Sequence, residues 1–539
     1  MTIITADNEV ADILVIGAGA SGAALSWQVA RDGFKVICLE QGRWHNPEDY
    51  ATTVQDWEFQ AMTTWNYNPN LRQLSEDYPV NDAKSPIAPL MFNAVGGSTI
   101  HYTAHTPRLH PSDFRVRSLD GVADDWPLSY KDLEPFYDLN DEVMGCSGIA
   151  GDPANPPRTE RQMPPLPLGE DGTLIARAFD SLDWHWWPSD SYVNSIPYGD
   201  GRDACNFCGA NGMGCTRKAK ASTDVTYWPS AIQFGVELRT DCRVTEITVD
   251  ELGMTTGAHY ITRDGRLHHQ PARSVVLAAN GIGTPRLMLL SKSDAHPNGL
   301  ANSSGLVGKN LMFHPYASVT GVFEQPLDSW TGPVANILMS QEFYETDPRR
   351  DFLRGYSYQV ARGFGPALTA KSRPISWGDS HHEEFTSEFG KTMTLAVIGE
   401  DLPELHNTVT LDPALTDRSG LPAPAINYKL SQNSRQMLDH GISKGRILLE
   451  AAGAHTIHSK PLIHQAGWHL MGTARMGFDP EASVVGPFGQ AHDVENLFIV
   501  DGSVFVTAGA VNPTPTIQAL ALRTANYITS ERTDLKIDA

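Results

Sequence analysis

The sequence predicts an α/β fold, and three observations carry that reading. Asp12-Ile13-Leu14-Val15-Ile16 is a short, mostly apolar run, the pattern of a strand buried on both faces. Gly17-Ala18-Gly19-Ala20-Ser21-Gly22 follows without a gap and leads into a helical stretch, Ala23 to Arg31, that Asp32-Gly33 ends. A second buried strand, Lys35 to Leu39, then closes on the acidic Glu40.

Each part has a physical task. Gly17 makes the tight turn, and Gly19 lets the backbone approach a pyrophosphate. Ala20 and Ser21 sit at the helix N-terminus, whose N–H groups and positive potential suit an anion. Gly22 lets the helix pack close against the strand. Glu40 lies near the ~20-residue offset at which an acid accepts hydrogen bonds from a ribose hydroxyl. A glycine-rich turn without a ligand is the competing reading, and the order strand, glycines, helix, strand, acid argues against it. Nothing in this unit separates NAD from FAD.

The chain has 539 residues, 41% of them hydrophobic, enough for a large core and two or more structural units. Its 41 Lys and Arg stand against 63 Asp and Glu, a net charge of -22. That excludes nucleic acid, which needs a basic patch, and suits a soluble enzyme or a basic electron carrier as partner. Met1 to Val10 lacks a basic leader, and no apolar stretch approaches the roughly 20 residues that span a bilayer. A cytoplasmic protein without a membrane span is therefore expected. The six cysteines read as reduced thiols in so long a chain.

Three later segments return to the dinucleotide. Gly96-Gly97-Ser98-Thr99, shortly before His101, suits a loop whose backbone passes close to a phosphate or ring. Ser274 to Ala279 is another buried strand, after which Thr284 and Pro285 mark a helix cap and first turn. Upstream, Gly235 to Val249 reads as strands around Cys242-Arg243-Val244. Asn496 to Val500 is a buried strand ending on Asp501-Gly502-Ser503. In Asn512-Pro513-Thr514-Pro515, Thr514 is the natural N-cap and Pro515 the first helical residue. Ile517, Leu520, Ala521, Thr524 and Ile528 then keep helical spacing, so the helix aims its positive end at whatever Asn512 and Pro513 touch.

Together with HLMGTARMG at His469–Gly477, AANGIGTPRLMLLS at Ala278–Ser291 and DGSVF before NPTPTIQALALR, these motifs make the chain resemble the glucose–methanol–choline oxidoreductases. GGSTIHYTAHTP is nearest to pyranose oxidases and to the large subunits of sugar and gluconate dehydrogenases. The resemblance covers nearly the whole chain. It implies FAD, with Val244 and Ala279 among the residues of the cofactor site. It also implies an α+β cap, an antiparallel-sheet substrate domain whose segments interleave with the Rossmann-like domain. Residues 1–312 would form the first part of the FAD-binding domain, with an inserted segment at about 120–200. Residues 313–461 would form the cap, and 462–539 the C-terminal part.

The implied reaction oxidises an alcohol to a carbonyl, with a sugar or glycoside as substrate and aryl or lignin-derived alcohols as the alternative. His469 is the expected base and Asn512 the donor to the substrate oxygen. A buried core histidine is the competing reading of His469. Some relatives attach FAD covalently through a histidine at the place of His101 and others do not, so the bond stays open here. The electron acceptor, whether oxygen, a quinone or a cytochrome, is open as well. An NAD-dependent dehydrogenase and a flavin protein without turnover are the readings from other classes, and the His469/Asn512 pair argues against the second.

Cys205, Cys208 and Cys215 look like part of an iron–sulfur or zinc site but lack a fourth ligand, with Asn211 about where one would stand. A glycine-rich loop of reduced thiols is the preferred reading, and no metal is expected. Trp184, Trp186 and Trp187 suggest a stacking platform, though aromatics more often bury apolar surface. Ala150 to Gly172 is proline-rich and reads as an extended surface connection; His381 to Glu384 carries residue types that bind metal, but a solvated loop is the preferred reading.

Overall fold

Ala11–Ile16 forms the expected strand, buried along its whole length, and pairs in parallel with Val36–Leu39 on one side and Leu267–Leu277 on the other. The computed structural model describes residues 5–6, 9–210, 212–372 and 375–536. Glu237–Arg239 adds to the outer edge of Val36–Leu39. Leu497–Ile499 joins Leu267–Leu277 in parallel. The long Leu267–Leu277 strand also pairs antiparallel with Thr255–Thr262, and that strand with Cys242–Val249. The result is a mixed eight-stranded sheet to which segments from both ends of the chain contribute.

The glycine turn shows why side chains are excluded there. Gly17 has φ 105°, and a Cβ on it would lie 2.5 Å from the Ala278 carbonyl oxygen. A Cβ on Gly22 would lie 2.0 Å from the Gly17 oxygen, so the helix Ala20–Arg31 can approach its strand only without one.

Two helix starts differ from the expected ones. The helix after Leu277 begins at Asn280, not at Thr284. Asn280 adopts φ 67°, and its Oδ1 accepts from the N–H groups of Ile282 and Gly283 at 2.9 and 3.1 Å. Pro285 is then inside the helix, where it cannot donate to the Gly281 carbonyl. Thr473 Oγ1 donates to that oxygen instead, at 2.8 Å. The final helix spans Thr514–Glu531, so Pro513 takes the cap position, Thr514 is the first helical residue and no side chain caps it. Proline at the cap and at Pro515 replaces side-chain capping with backbone preset to a helical φ.

A six-stranded sheet covers the cavity side of this domain. Its strands run in the order Thr456–Lys460, Tyr316–Val322, Thr392–Gly399, Tyr356–Ala361, Leu338–Ser340, Trp187–Pro188, and every pairing is antiparallel. The helix Gln432–Ala451 packs Met437, Leu438, Leu448 and Leu449 behind it. Asn81–Lys84, Thr408–Thr416 and Pro422–Asn427 form a separate three-stranded sheet.

Ala150 to Leu168 runs without a helix or a strand, and the helix Gly169–Ser181 takes over the last residues of the expected connection. His381–Glu388 is an exposed helix rather than a loop. Among the described residues no helix is long and apolar enough to cross a membrane.

Candidate active site

Every cofactor-site residue singled out in the sequence except Gly22 lines one continuous cavity of about 640 Å³, and so do His469 and Asn512. Gly22 faces the strand, where its task is packing. Gly17, Gly19, Ala20, Ser21, Glu40 and Val244 line the cavity together with His469, Asn512 and residues of the six-stranded sheet.

Glu40 is buried, and both its oxygens hold backbone. The Ala18 N–H donates to Oε2 and the Gly42 N–H to Oε1, each at 2.8 Å. Burial outweighs these bonds and pushes its pKa up to about 7. The loop Gly96–Thr99 lies directly on the glycine turn. The Gly96 N–H donates to Ala18 O at 2.9 Å, and a Cβ on Gly97 would come within 2.9 Å of Gly19 Cα. Thr99 Oγ1 fixes that loop by donating to Gly96 O at 2.5 Å and accepting from the Thr223 N–H at 3.0 Å. Further along, Thr284 Oγ1 donates to Asp501 Oδ2 at 2.5 Å, joining the Ala279 and Gly502 walls of the cavity.

His101 sits among Trp65, Tyr67 and Phe92, each ring edge-on to the imidazole. Its Nδ1 lies 3.0 Å from Gly212 O, so that nitrogen carries the proton and Nε2 carries the lone pair. Nε2 is buried and has no hydrogen-bond partner among the described residues. Burial holds the ring well below the ordinary imidazole range. An open space beside Gly19, where a Cβ would meet nothing within 4 Å, and this unpartnered nitrogen fit a dinucleotide with a ring system at its far end.

The cavity also presents groups whose chemistry suits proton transfer. His469 Nδ1 is 2.7 Å from His314 Nδ1, and His314 Nε2 is 2.6 Å from Gly509 O. Burial, then the neighbouring His314, keeps His469 well below its usual pKa, and burial lowers His314 to about 4. Both rings are therefore neutral at pH 7. Asn512 accepts a hydrogen bond from Gln359 Nε2 at its Oδ1, which leaves its own N–H₂ free to donate elsewhere.

Strand alternation puts polar side chains on the sheet face that lines the cavity. Lys460, Ser318, Ala396 and Gln359 lie in one row across the strands, and His458, Thr320, Thr394 and Ala361 in the next. Thr320 and Thr394 share a hydrogen bond of 2.8 Å between their hydroxyls. Tyr316 and Trp468, edge to face, add an aromatic wall.

The sequence reading missed His314 and Gln359. The only local signal was a histidine before Pro315, which has no spacing to pair it with His469. The tryptophans do not form a platform in the cavity: Trp184 packs edge-on to Phe343, Trp186 donates to Asp180 and Trp187 to Ile149 O. Cys205 and Cys215 are partly buried and Cys208 is exposed. Among the described residues no group of three or more His, Cys, Asp or Glu could hold a metal ion, and Asn211 lies outside the described residues.

Two family models described as GMC oxidoreductase match residues 195–316 and 403–521, and one described as an NAD(P)-binding Rossmann-like domain matches residues 15–78. The 2-methyl-1,2-propanediol dehydrogenase of Mycolicibacterium austroafricanum is 43% identical over 99% of this chain and 97% of its own length. The chain belongs to the GMC oxidoreductase family. The fructose dehydrogenase large subunit of Gluconobacter japonicus is 30% identical over 97% of this chain and 98% of its own. A formate oxidase of Aspergillus oryzae RIB40 shares the fold at TM-score 0.64 and 15% identity, covering 98% of this chain and 100% of that one. Family membership makes the chain an FAD-dependent oxidoreductase acting on alcohols, with the mixed sheet as its Rossmann-like domain.

Proposed function

We propose that His469 removes the hydroxyl proton of an alcohol while the Asn512 amide donates to the same oxygen, on a non-aromatic substrate rich in hydroxyls. The observation that carries this is one cavity wall holding a neutral His469, an oriented Asn512 and the rows Ser318/Gln359 and Thr320/Thr394. Those hydroxyls and amides match further hydroxyls on the substrate, as in a diol or a sugar. The 43% identical relative is named for a diol and the 30% identical one for a sugar, which agrees with that class.

When bound, FAD supplies the hydride acceptor. The protein supplies the base, the donor and a site that excludes water. Glycines 17, 19 and 97 would admit the pyrophosphate, with Glu40 toward the ribose and Asp501 to Thr514 toward the ring system. Turnover with an artificial electron acceptor tests the substrate class. Small diols or sugars should exceed benzyl-type alcohols in kcat/KM by about tenfold or more. The reverse order would favour the aryl-alcohol reading.

His101 is our candidate for a covalent attachment point, because its Nε2 lone pair is buried, neutral and without a partner among the described residues. After acid precipitation the yellow colour should stay with the protein pellet. Colour in the supernatant would rule the bond out.

The pH dependence follows from His469. A base whose pKa lies well below 6.5 stays unprotonated through neutrality and is lost only as pH falls through that lowered value. Flavin reduction should therefore be flat from about pH 8 to about pH 6.5, with its acid limb below the ordinary histidine midpoint. A midpoint at or above about 6.5 in stopped-flow measurements would contradict a neutral, buried base.

A further inference from the structure

Gly509 O is a carbonyl and can only accept, so the 2.6 Å contact from His314 Nε2 requires a proton on that nitrogen. Neutral His314 then has its lone pair on Nδ1. The 2.7 Å contact between the two Nδ1 atoms needs one proton, and His469 must supply it. With Nδ1 protonated, a neutral His469 carries its lone pair on Nε2, the nitrogen on the far side of the ring from His314. The opposite polarity would require a charged His314, and burial of that ring opposes the charge.

From this chain of bonds we propose that His314 is a positioning residue that fixes the tautomer of His469, holding the Nε2 lone pair toward the cavity where it meets the substrate hydroxyl. The inference rests on the reading of His469 as the base. No carboxylate ends the chain: a backbone carbonyl does. His314 therefore sets direction without adding negative charge, and the base stays weak enough to give its proton up again. The same bond ties the base to the loop that delivers Asn512, since Gly509 lies three residues before it. That loop is held independently, by Ser357 Oγ donating to Ala510 O at 2.6 Å and by the Ala510 N–H donating to Tyr344 Oη at 3.2 Å. Removing His314 should thus disturb the base more than the loop. Among the described residues, His314 is the ionisable group that acts on His469, and the Trp468 ring lies beside it at 6.3 Å between centroids.

Three variants of the holoenzyme test this: His314→Phe, His314→Gln and His314→Asn. Asparagine places an amide oxygen near the position of Nδ1, where it can accept from His469. Glutamine can reach Gly509 but offers His469 no equivalent acceptor, and phenylalanine offers neither bond. The limiting rate of anaerobic flavin reduction should fall about 10–100-fold in the Phe and Gln variants, as for other partners that orient a functional histidine. The substrate concentration at half-maximal rate should hardly move, and the Asn variant should recover most of the loss. Should the Phe variant fail to yield flavin-loaded protein, the Gln and Asn pair carries the comparison. Full rates in the Gln variant, or an Asn variant as slow as Gln at equal flavin content, would overturn the proposal. If His469→Ala itself reduces flavin at the native rate, the reading of His469 as the base fails first, and that outcome is separate from any result at His314.

Discussion

Replacing His469 by alanine slows anaerobic flavin reduction by about 10²–10⁴-fold while FAD stays bound. The size follows from losing a general base that is neutral at working pH and already oriented. The retention of cofactor follows from position. His469 is bonded to His314, whereas the glycine turn is held by Glu40 and by the Gly96–Thr99 loop. Its backbone neighbours are independently held, since Met471 exchanges hydrogen bonds of 2.9 and 3.1 Å with Met312. Flavin absorbance per chain and stopped-flow reduction measure the two quantities separately. A near-native reduction rate would return His469 to the role of a core histidine.

Alanine substitutions at Gly19 and Gly22, in the same glycine turn, should fail in different ways. Gly22→Ala puts a methyl group 2.0 Å from the Gly17 carbonyl oxygen and 3.3 Å from the Ala278 side chain. The Gly17 backbone cannot give, so the cost is about 3 kcal/mol or more and falls on the fold itself. Gly19→Ala meets nothing within 4 Å and has an ordinary φ of -78°. It leaves the fold intact and fills the space through which the backbone approaches a pyrophosphate. A clash of about 1–3 kcal/mol there weakens FAD binding about 5- to 150-fold. Thermal unfolding and flavin content should separate them: Gly22→Ala lowers both, and Gly19→Ala lowers flavin content with little change in the unfolding of the flavin-free chain. Full flavin content in Gly19→Ala would mean that this turn does not face the cofactor.

The first strand, turn and helix were readable because their constraints are local. A buried strand, a positive-φ glycine and a helix that must touch its strand all fall within Ala11 to Arg31, so spacing alone exposes them. The helix starts were less readable. Asn280 takes a left-handed conformation and caps with its own side chain, while Thr473, far away in sequence, serves the carbonyl that Pro285 leaves without a donor. Nothing near Pro285 reports that donor. The active site splits along the same line. His469 and Asn512 stand in recognisable motifs, but His314 is 155 residues from His469 and Gln359 is 153 residues from Asn512. The pairing of Tyr316–Val322 with Thr392–Gly399, and of that strand with Tyr356–Ala361, carries Gln359 to the cavity and sets His314, just before the first of these strands, against His469. A side chain whose partner is set by sheet register leaves no periodic trace in the sequence.

The most direct test of the whole account is a single anaerobic titration. The purified chain should carry bound flavin, and adding a diol or sugar without oxygen should bleach the flavin band with one carbonyl product formed per flavin reduced. A chain that purifies without flavin, or a flavin that no alcohol in the panel of diols, sugars and aryl alcohols reduces, would contradict it.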